Sequence, residues 1–261
     1  MKEEYYGRVG QRNVFVAIRI NLGRKEASAC SMKLFTSLFA RQDSAARQER
    51  IEPIFESDAG VFSIPTLSGD VAALEPAAPP MSSDVLQFHE DEWSQVEFLP
   101  ASQFEHVRHI LTEYVHFEQE QRTDSGWREA YIRQLARVPV ISGEGALNRL
   151  QACLGVPAQP APLLFSGSRI QGRLKDGFSL ALGGDVTLYG FQNDSGIPVL
   201  GVHLAPGADK SVLSAAFATL NSSIGLILVD WCAPFVMVSR DGSGQPRFWR
   251  PEEVAEQGLA A

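Results

Sequence analysis

Histidine and glutamate side chains alternate along one segment, "EHVRHILTEYVHFEQEQ" at residues 105–121, which holds three of the chain's five histidines. At roughly 100° per residue, a helix over this segment places His109, Glu113, His116 and Glu120 along one ridge. A His-x3-Glu-x2-His run offers two imidazoles and a carboxylate to a divalent ion. The spacing therefore makes His109, Glu113 and His116 candidate metal ligands.

The alternative interpretation of this segment is a solvated helix face. A di-iron bundle needs a second Glu-x2-His motif, and the sequence holds no second copy. A zinc-protease His-Glu-x2-His motif is also missing from the sequence. The opposite side of the helix carries an apolar stripe, formed by Val107, Ile110, Leu111 and Tyr114. We therefore expect the stripe to be buried and the ridge to face solvent, with metal binding as the alternative.

A second set of reactive residues, His203, Asp230 and Cys232, lies near the ends of predicted strands in the C-terminal part of the chain. Nucleophilic catalysis by a thiol needs a histidine base within hydrogen-bonding distance. Activated cysteines commonly lie at a helix N-terminus, whereas Cys232 follows a predicted strand and precedes Ala-Pro. This position favours a buried, unreactive thiol.

The composition is that of a soluble globular protein, with 44% hydrophobic and 21% charged residues among 261. No apolar run approaches the roughly 18 residues that a membrane helix needs, so we expect no membrane partner. The cysteines are Cys30, Cys153 and Cys232, an odd number at unrelated spacings. This pattern argues against a disulfide framework and predicts a cytoplasmic location.

The net charge of −8 is unevenly distributed. Residues 1–50 carry ten basic and five acidic side chains, and residues 51–261 carry thirteen basic and twenty-six acidic ones, a balance of −13. Such a body repels phosphate backbones, so nucleic acid is not expected as a ligand. A basic protein surface would instead be attracted to it.

The N-terminal part of the chain divides into three predicted regions. Residues 1–31 form a loosely ordered extension, and residues 32–80 form a helix followed by a Pro-rich linker. Residues 81–155 form an acidic unit of a hairpin and helices. In this unit "VLQFHEDEWSQVEFLP" provides two strands around an acidic turn, the histidine-bearing helix follows, and "WREAYIRQLARV" resumes helical spacing.

The C-terminal unit, residues 163–251, has the clearest pattern. Three strands joined by tight turns precede a helix, and three further strands follow it, which predicts the order β-β-β-α-β-β-β. Asp209 is placed to cap the start of the helix and Gly225 to end it. The predicted fold class is therefore α+β, with an N-terminal hairpin plus helices and a C-terminal antiparallel sheet that one helix covers.

The function predicted from these features is that of a non-enzymatic cytosolic protein-binding module, such as an inhibitor, an immunity-type protein or an adaptor. The expected partner is another protein with a basic surface, and no cofactor is expected. The residues assigned to partner binding are acidic: Glu90, Asp91, Glu92, Glu113, Glu118 and Glu120. The alternative is a metal-dependent or thiol-dependent enzyme, most simply a hydrolase, using the two sets of residues above.

Overall fold

The computed structural model describes residues 62–70, 72–77 and 85–251, together with the strand backbone of Tyr5–Gly7 and Val16–Ile18. Apart from those two strands, the predicted N-terminal extension of residues 1–31 lies outside the described residues. The helix predicted after Met32 also lies outside them.

Three α-helices and two short 3₁₀ helices lie in the described part of the chain. The α-helices are α1 (Phe104–Gln121), α2 (Ala146–Leu154) and α3 (Lys210–Ile224). The 3₁₀ helices are Glu90–Glu92, named the acidic 3₁₀ helix below, and Ala101–Gln103.

The strands fall into one large sheet, one smaller sheet and three isolated pairs. In chain order they are β1 (Tyr5–Gly7), β2 (Val16–Ile18), β3 (Thr66–Ser68), β4 (Leu74–Glu75), β5 (Gln87–His89), β6 (Val96–Pro100), β7 (Arg122–Thr123), β8 (Gly126–Trp127), β9 (Tyr131–Arg133), β10 (Ile141–Ser142), β11 (Leu163–Ser166), β12 (Arg169–Leu174), β13 (Gly177–Gly183), β14 (Val186–Asn193), β15 (Gly196–Leu204), β16 (Leu226–Asp230), β17 (Phe235–Arg240) and β18 (Pro246–Trp249).

The large sheet has eight strands and is antiparallel throughout. Its order is β13-β14-β15-β6-β16-β17-β18, and β10 pairs with β15 beside this path. The smaller sheet has the order β4-β12-β11-β5, in which β11 and β5 are parallel. The isolated pairs are β1 with β2, β3 with β9, and β7 with β8. This mixed α+β architecture, dominated by an antiparallel sheet, confirms the predicted fold class.

Both faces of the large sheet are covered. Alternation along β6 directs Phe98 to one face, called the upper face here, and Leu99 to the other, the lower face. Helices α2 and α3 pack on the upper face, where Leu150 and Phe217 are fully buried with Phe98. The prediction of a single covering helix was therefore incomplete, because the helix of residues 146–154 shares this face with α3.

Two different elements cover the lower face. Helix α1 packs over β16 and β17 through its predicted stripe, and Val107 and Leu111 are fully buried there. The smaller sheet packs over β14 and β15, where Phe88 and Leu164 are buried in one cluster with Tyr189 of β14. The region between α1 and the smaller sheet runs along β6 and is called the seam here. It contains the polar network described below.

The last seven elements follow the predicted order and the helix caps are as predicted, but residues 163–251 also contain β11 and β12, two strands that the prediction did not include. Strands β13, β14 and β15, helix α3, and strands β16, β17 and β18 follow one another as β-β-β-α-β-β-β. The Asp209 carboxylate accepts the Ser211 N–H at 2.9 Å, and Gly225 ends α3 with φ of 77°. A left-handed residue at this position is the ordinary role of glycine after a helix.

The predicted hairpin of residues 85–100 has both its strands, but they do not pair with each other. Strand β5 pairs with β11 in the smaller sheet, and β6 lies between β15 and β16 in the large one. The acidic 3₁₀ helix and Ser94, at φ of 54°, separate the two strands. A connection of this kind redirects the chain, whereas a tight hairpin turn would keep the strands adjacent.

The second predicted helix, "WREAYIRQLARV", was wrong. Tyr131–Arg133 is strand β9, which pairs in parallel with β3, and residues 134–139 that follow have no regular structure. The partner strand lies more than sixty positions upstream, Thr66 opposite Tyr131. Tertiary pairing of this kind overrides a local helical spacing.

Strands from the two predicted units, residues 81–155 and 163–251, lie together in the same sheets. Strand β6, from the first range, is the centre of the sheet that the second range forms. Strands β11 and β12, from the second range, belong to the smaller sheet together with β5.

Candidate functional site

The polar ridge of α1 faces solvent. The side chains of His109 and Glu113 are 69% and 54% exposed, and His116 and Glu120 are exposed as well. The four residues buried on the opposite side are the predicted stripe, Val107, Ile110, Leu111 and Tyr114. Helix α1 therefore presents an acidic and histidine-bearing surface to any partner that approaches it.

The ridge does not converge on a metal site in this structure. His109 Nε2 lies 3.3 Å from Glu113 Oε1, and the other oxygen of Glu113 accepts the Tyr131 hydroxyl at 3.3 Å. Among the described residues, no group of three or more His, Cys, Asp or Glu side chains is arranged to hold a metal ion. Metal binding through His109, Glu113 and His116 stays a prediction that this geometry does not support.

Two histidines flank the acidic 3₁₀ helix. His89 Nδ1 lies 3.2 Å from Asp91 Oδ2, and His203 Nδ1 lies 3.5 Å from Glu92 Oε2. The ring of His203 also stacks on Phe88, with 5.7 Å between ring centroids. The three acids of this helix are half-buried, so part of each side chain reaches solvent.

A chain of hydrogen bonds connects the acidic 3₁₀ helix to α1. The Gln95 amide donates to the Asp91 and Thr66 carbonyls, both at 2.7 Å. The Thr66 hydroxyl donates to the Tyr131 carbonyl at 3.0 Å, and the Tyr131 hydroxyl reaches Glu113. The two acidic segments are thus linked to each other through Gln95, Thr66 and Tyr131. Together they are called the acidic surface, formed by Glu90, Asp91, Glu92, Glu113, Glu118 and Glu120.

A buried ionic network fills the seam on the lower face. Glu97 is only 1% exposed, and its carboxylate accepts Arg137 Nη1 at 2.6 Å and Trp231 Nε1 at 2.9 Å. Arg137 also donates to Asp70 at 2.5 Å. Burial opposes the charge on Arg137, but the Glu97 and Asp70 carboxylates outweigh it, so its pKa is raised. The network ties residues 62–70 to the centre of the large sheet.

Arg133 is the second buried cation of the seam. It donates to Thr66 Oγ1 and Gln95 Oε1 at 3.0 Å and to the Ser94 carbonyl at 2.9 Å. Its guanidinium lies 5.1 Å from the centre of the Trp231 ring, a cation–π arrangement. Burial lowers the pKa of Arg133 to about 10, which still leaves it charged at neutral pH.

The predicted thiol set is not assembled as a catalytic group. Cys232 Sγ lies 3.3 Å from Gln95 Oε1, whereas His203 contacts Glu92 on the other side of β6. Asp230 Oδ1 accepts the backbone N–H groups of Cys232 and Ala233, at 3.0 and 2.8 Å. Burial raises the pKa of the Cys232 thiol, the opposite of what an activated nucleophile needs. The thiol-dependent enzyme also stays a prediction without support from the geometry.

Asp230 is a buried carboxylate that lacks a cation at hydrogen-bonding distance among the described residues. It is 3% exposed, and burial raises its pKa to about 6 in spite of the two N–H groups that it accepts. Because this value exceeds that of the unfolded chain, the folded protein binds more protons between the two values. Its stability therefore falls as the pH rises through that window.

Replacing Asp230 with asparagine is expected to stabilise the protein at neutral and alkaline pH. Asparagine Oδ1 accepts the same backbone N–H groups but has no charge to bury. A pKa shift from 3.8 to about 6 corresponds to a free energy of about 3 kcal/mol. Urea denaturation should show this gain at about pH 8 and almost none at about pH 4. A gain of equal size at both pH values would contradict the assignment.

Sequence reasoning missed the residues of the seam. Glu97 lies in a predicted strand and Arg133 and Arg137 lie in a predicted helix, whereas most of their partners lie far away along the chain. One signal was present in "QVEFLP", where a single acid interrupts an apolar strand. A charge at such a position needs a buried partner.

Comparison with known proteins gives no assignment: no protein-family model, no curated protein and no solved structure matches this chain. None of the helices in the described part of the chain has both the length and the apolar character needed to cross a bilayer. Function is therefore inferred from the acidic surface and the network beneath it.

Proposed function

We propose that this chain is a non-enzymatic cytosolic protein-binding module, of the inhibitor, immunity or adaptor type, and that its acidic surface binds a basic surface of another protein. One observation carries the proposal: the two acidic segments are anchored by one shared chain of hydrogen bonds. The anchoring residues are Gln95, Thr66 and Tyr131. A surface held in this way loses little conformational entropy on binding.

Electrostatics supports a basic partner. Residues 51–261 carry an excess of thirteen acidic over basic side chains. A field of this sign speeds the approach of a basic protein and repels nucleic acid. The uneven cysteine spacing supports the cytosolic part of the proposal.

Aromatic side chains beside the acids support a protein interface in particular. Phe117 and Tyr131 are half-buried, with ring centroids 5.3 Å apart, and Tyr131 lies against Glu113. Arginine side chains bind well where a carboxylate and an aromatic face are adjacent. We expect arginine residues of the partner at this position.

Charge reversal on α1 tests the proposal. The triple variant Glu113→Lys, Glu118→Lys and Glu120→Lys should lose its partner in a pull-down from the cells that make the protein. Each new ammonium group faces a basic partner, so we expect affinity to fall by at least roughly 100-fold. Binding of the unaltered protein should also weaken with increasing salt.

A matched triple variant controls for net charge. Glu75→Lys, Glu144→Lys and Asp194→Lys change the charge by the same amount at exposed positions outside the acidic surface. This control should retain the partner, and circular dichroism should show that both variants are folded. Retention of the partner by the α1 variant, or its equal loss from both, would contradict the proposal.

A further inference from the structure

His89 joins the acidic 3₁₀ helix to the turn between β11 and β12. It is the last residue of β5, and its Nδ1 lies 3.2 Å from Asp91 Oδ2. On the other side of the ring, Nε2 accepts the Gly167 backbone N–H at 3.0 Å. Gly167 has φ of 59°, a left-handed conformation that favours glycine in this turn. One side chain thus contacts two separate segments through its two nitrogens.

Only one neutral form of His89 satisfies both contacts. A neutral imidazole has a proton on one nitrogen and a lone pair on the other. The Asp91 carboxylate needs a proton on Nδ1, and the Gly167 N–H needs a lone pair on Nε2. The Asp91 backbone N–H also points toward Nδ1, at 3.3 Å, and would suit the opposite form. That form is disfavoured, because it would set two N–H groups against each other at Gly167 and a lone pair against a carboxylate at Asp91.

We propose that His89 is a pH-sensitive contact that holds the β11–β12 turn against the acidic 3₁₀ helix only while its ring is neutral. Protonation adds a proton to Nε2, which then faces the Gly167 N–H, so two donors oppose each other and the contact opens. The positive ring keeps its place beside Asp91, because that pairing becomes stronger. The turn is therefore released while the acidic helix is partly neutralised.

The charges around His89 set the direction of its response to pH. The titratable and charged groups of the surrounding elements are Glu90, Asp91 and Glu92 of the 3₁₀ helix, His203 of β15, and Arg169 after the turn. The hydrogen bond to Asp91 is the main cause that raises the pKa of His89; burial opposes it, and the three carboxylates add to it. His203 Nδ1 lies 3.5 Å from Glu92 Oε2, on the other side of this helix. The contact should therefore open as the pH falls through a value above 6.5, the ordinary value for histidine.

The effect of this contact on a partner rests on the proposed function. A positive His89 places a cation among the acids of the acidic surface, so a basic partner should bind less tightly at mildly acidic pH. The structural part of the inference does not depend on any partner. The two parts can therefore be tested separately.

Nuclear magnetic resonance of the full-length, ¹⁵N-labelled protein tests the contact directly. At high pH the His89 ring should show the form protonated at Nδ1, and the Gly167 amide signal should move with the same midpoint as the ring. In His89→Gln the Gly167 amide should no longer titrate, whereas in His203→Gln it should titrate as before. A Gly167 signal that stays constant while His89 titrates, or a ring protonated at Nε2 at high pH, would overturn the inference.

The binding measurement distinguishes this inference from the proposed function. Partner retention should fall from about pH 8 to about pH 6 for the unaltered protein and for His203→Gln, but much less for His89→Gln. If Gly167 titrates with His89 and no partner is retained at any pH, the contact is supported and the proposed function fails. If Gly167 does not titrate and the partner is retained, the contact is overturned and the proposed function stands.

Discussion

Replacing Glu97 with alanine should lower the free energy of unfolding by about 3–5 kcal/mol. The substitution leaves Arg137 with Asp70 alone and removes the acceptor of the buried Trp231 N–H. It also removes the carboxylate that contributes most to keeping Arg133 charged. Uncompensated buried groups of this kind are among the most costly changes in a folded protein. Urea denaturation followed by tryptophan fluorescence measures the loss.

Two further variants show whether the loss comes from the ionic network. Glu129→Ala removes an exposed acid and should change stability by less than about 0.5 kcal/mol. Glu97→Leu combined with Arg137→Leu removes both charges, and it should be more stable than Glu97→Leu alone. If the double variant is less stable than the single one, the two charges are not coupled as described.

Gly201→Ala should destabilise the protein by about 2–3 kcal/mol. Gly201 lies between Tyr189 on β14 and Glu97 on β6 in neighbouring strands, and the Tyr189 ring crosses over it. A Cβ atom there would overlap Cζ of the Tyr189 ring and lie 2.6 Å from its Cε2, well inside van der Waals contact. The same end of the ring is held by the Ser94 N–H, which the Tyr189 hydroxyl accepts at 2.8 Å, so the ring has little room to move. Thermal and urea denaturation both report the change.

The cost of Gly201→Ala should depend on Tyr189. In a Tyr189→Ala background the added methyl group meets no ring, and its cost should fall to below about 1 kcal/mol. Gly242→Ala is the matched control, because a Cβ at that exposed turn meets no atom within 4 Å. An equal cost in both backgrounds would show that the ring does not restrict this position.

Elements whose determinants are close together along the chain were predictable from the sequence. The buried stripe of α1 follows from three- and four-residue spacing, and the ends of α3 follow from Asp209 and Gly225. The order of the last seven elements followed from short strands with turn residues between them. The same periodicity that predicted a buried stripe on α1 also predicted that its opposite ridge is exposed.

Long-range pairings were not predictable from local patterns. Strand β6 lies between β15 and β16, whose residues follow it by roughly one hundred positions or more. Strand β9 looked helical because its pairing with β3 is invisible to a spacing argument. The seam was missed for the same reason, since Glu97 meets Trp231 only after the sheet has formed. A single sequence shows such residues as charges without showing their partners.

Site-specific photo-crosslinking in the cells that make the protein tests the central claim most directly. A crosslinking residue at His116 lies on the exposed ridge of α1, and one at Ser223 lies on α3, on the upper face of the sheet. We expect a crosslinked protein with a basic surface at position 116 and none at position 223, with the product decreasing as salt is added. Crosslinks at position 223 alone would contradict the claim that this protein binds its partner through the acidic surface.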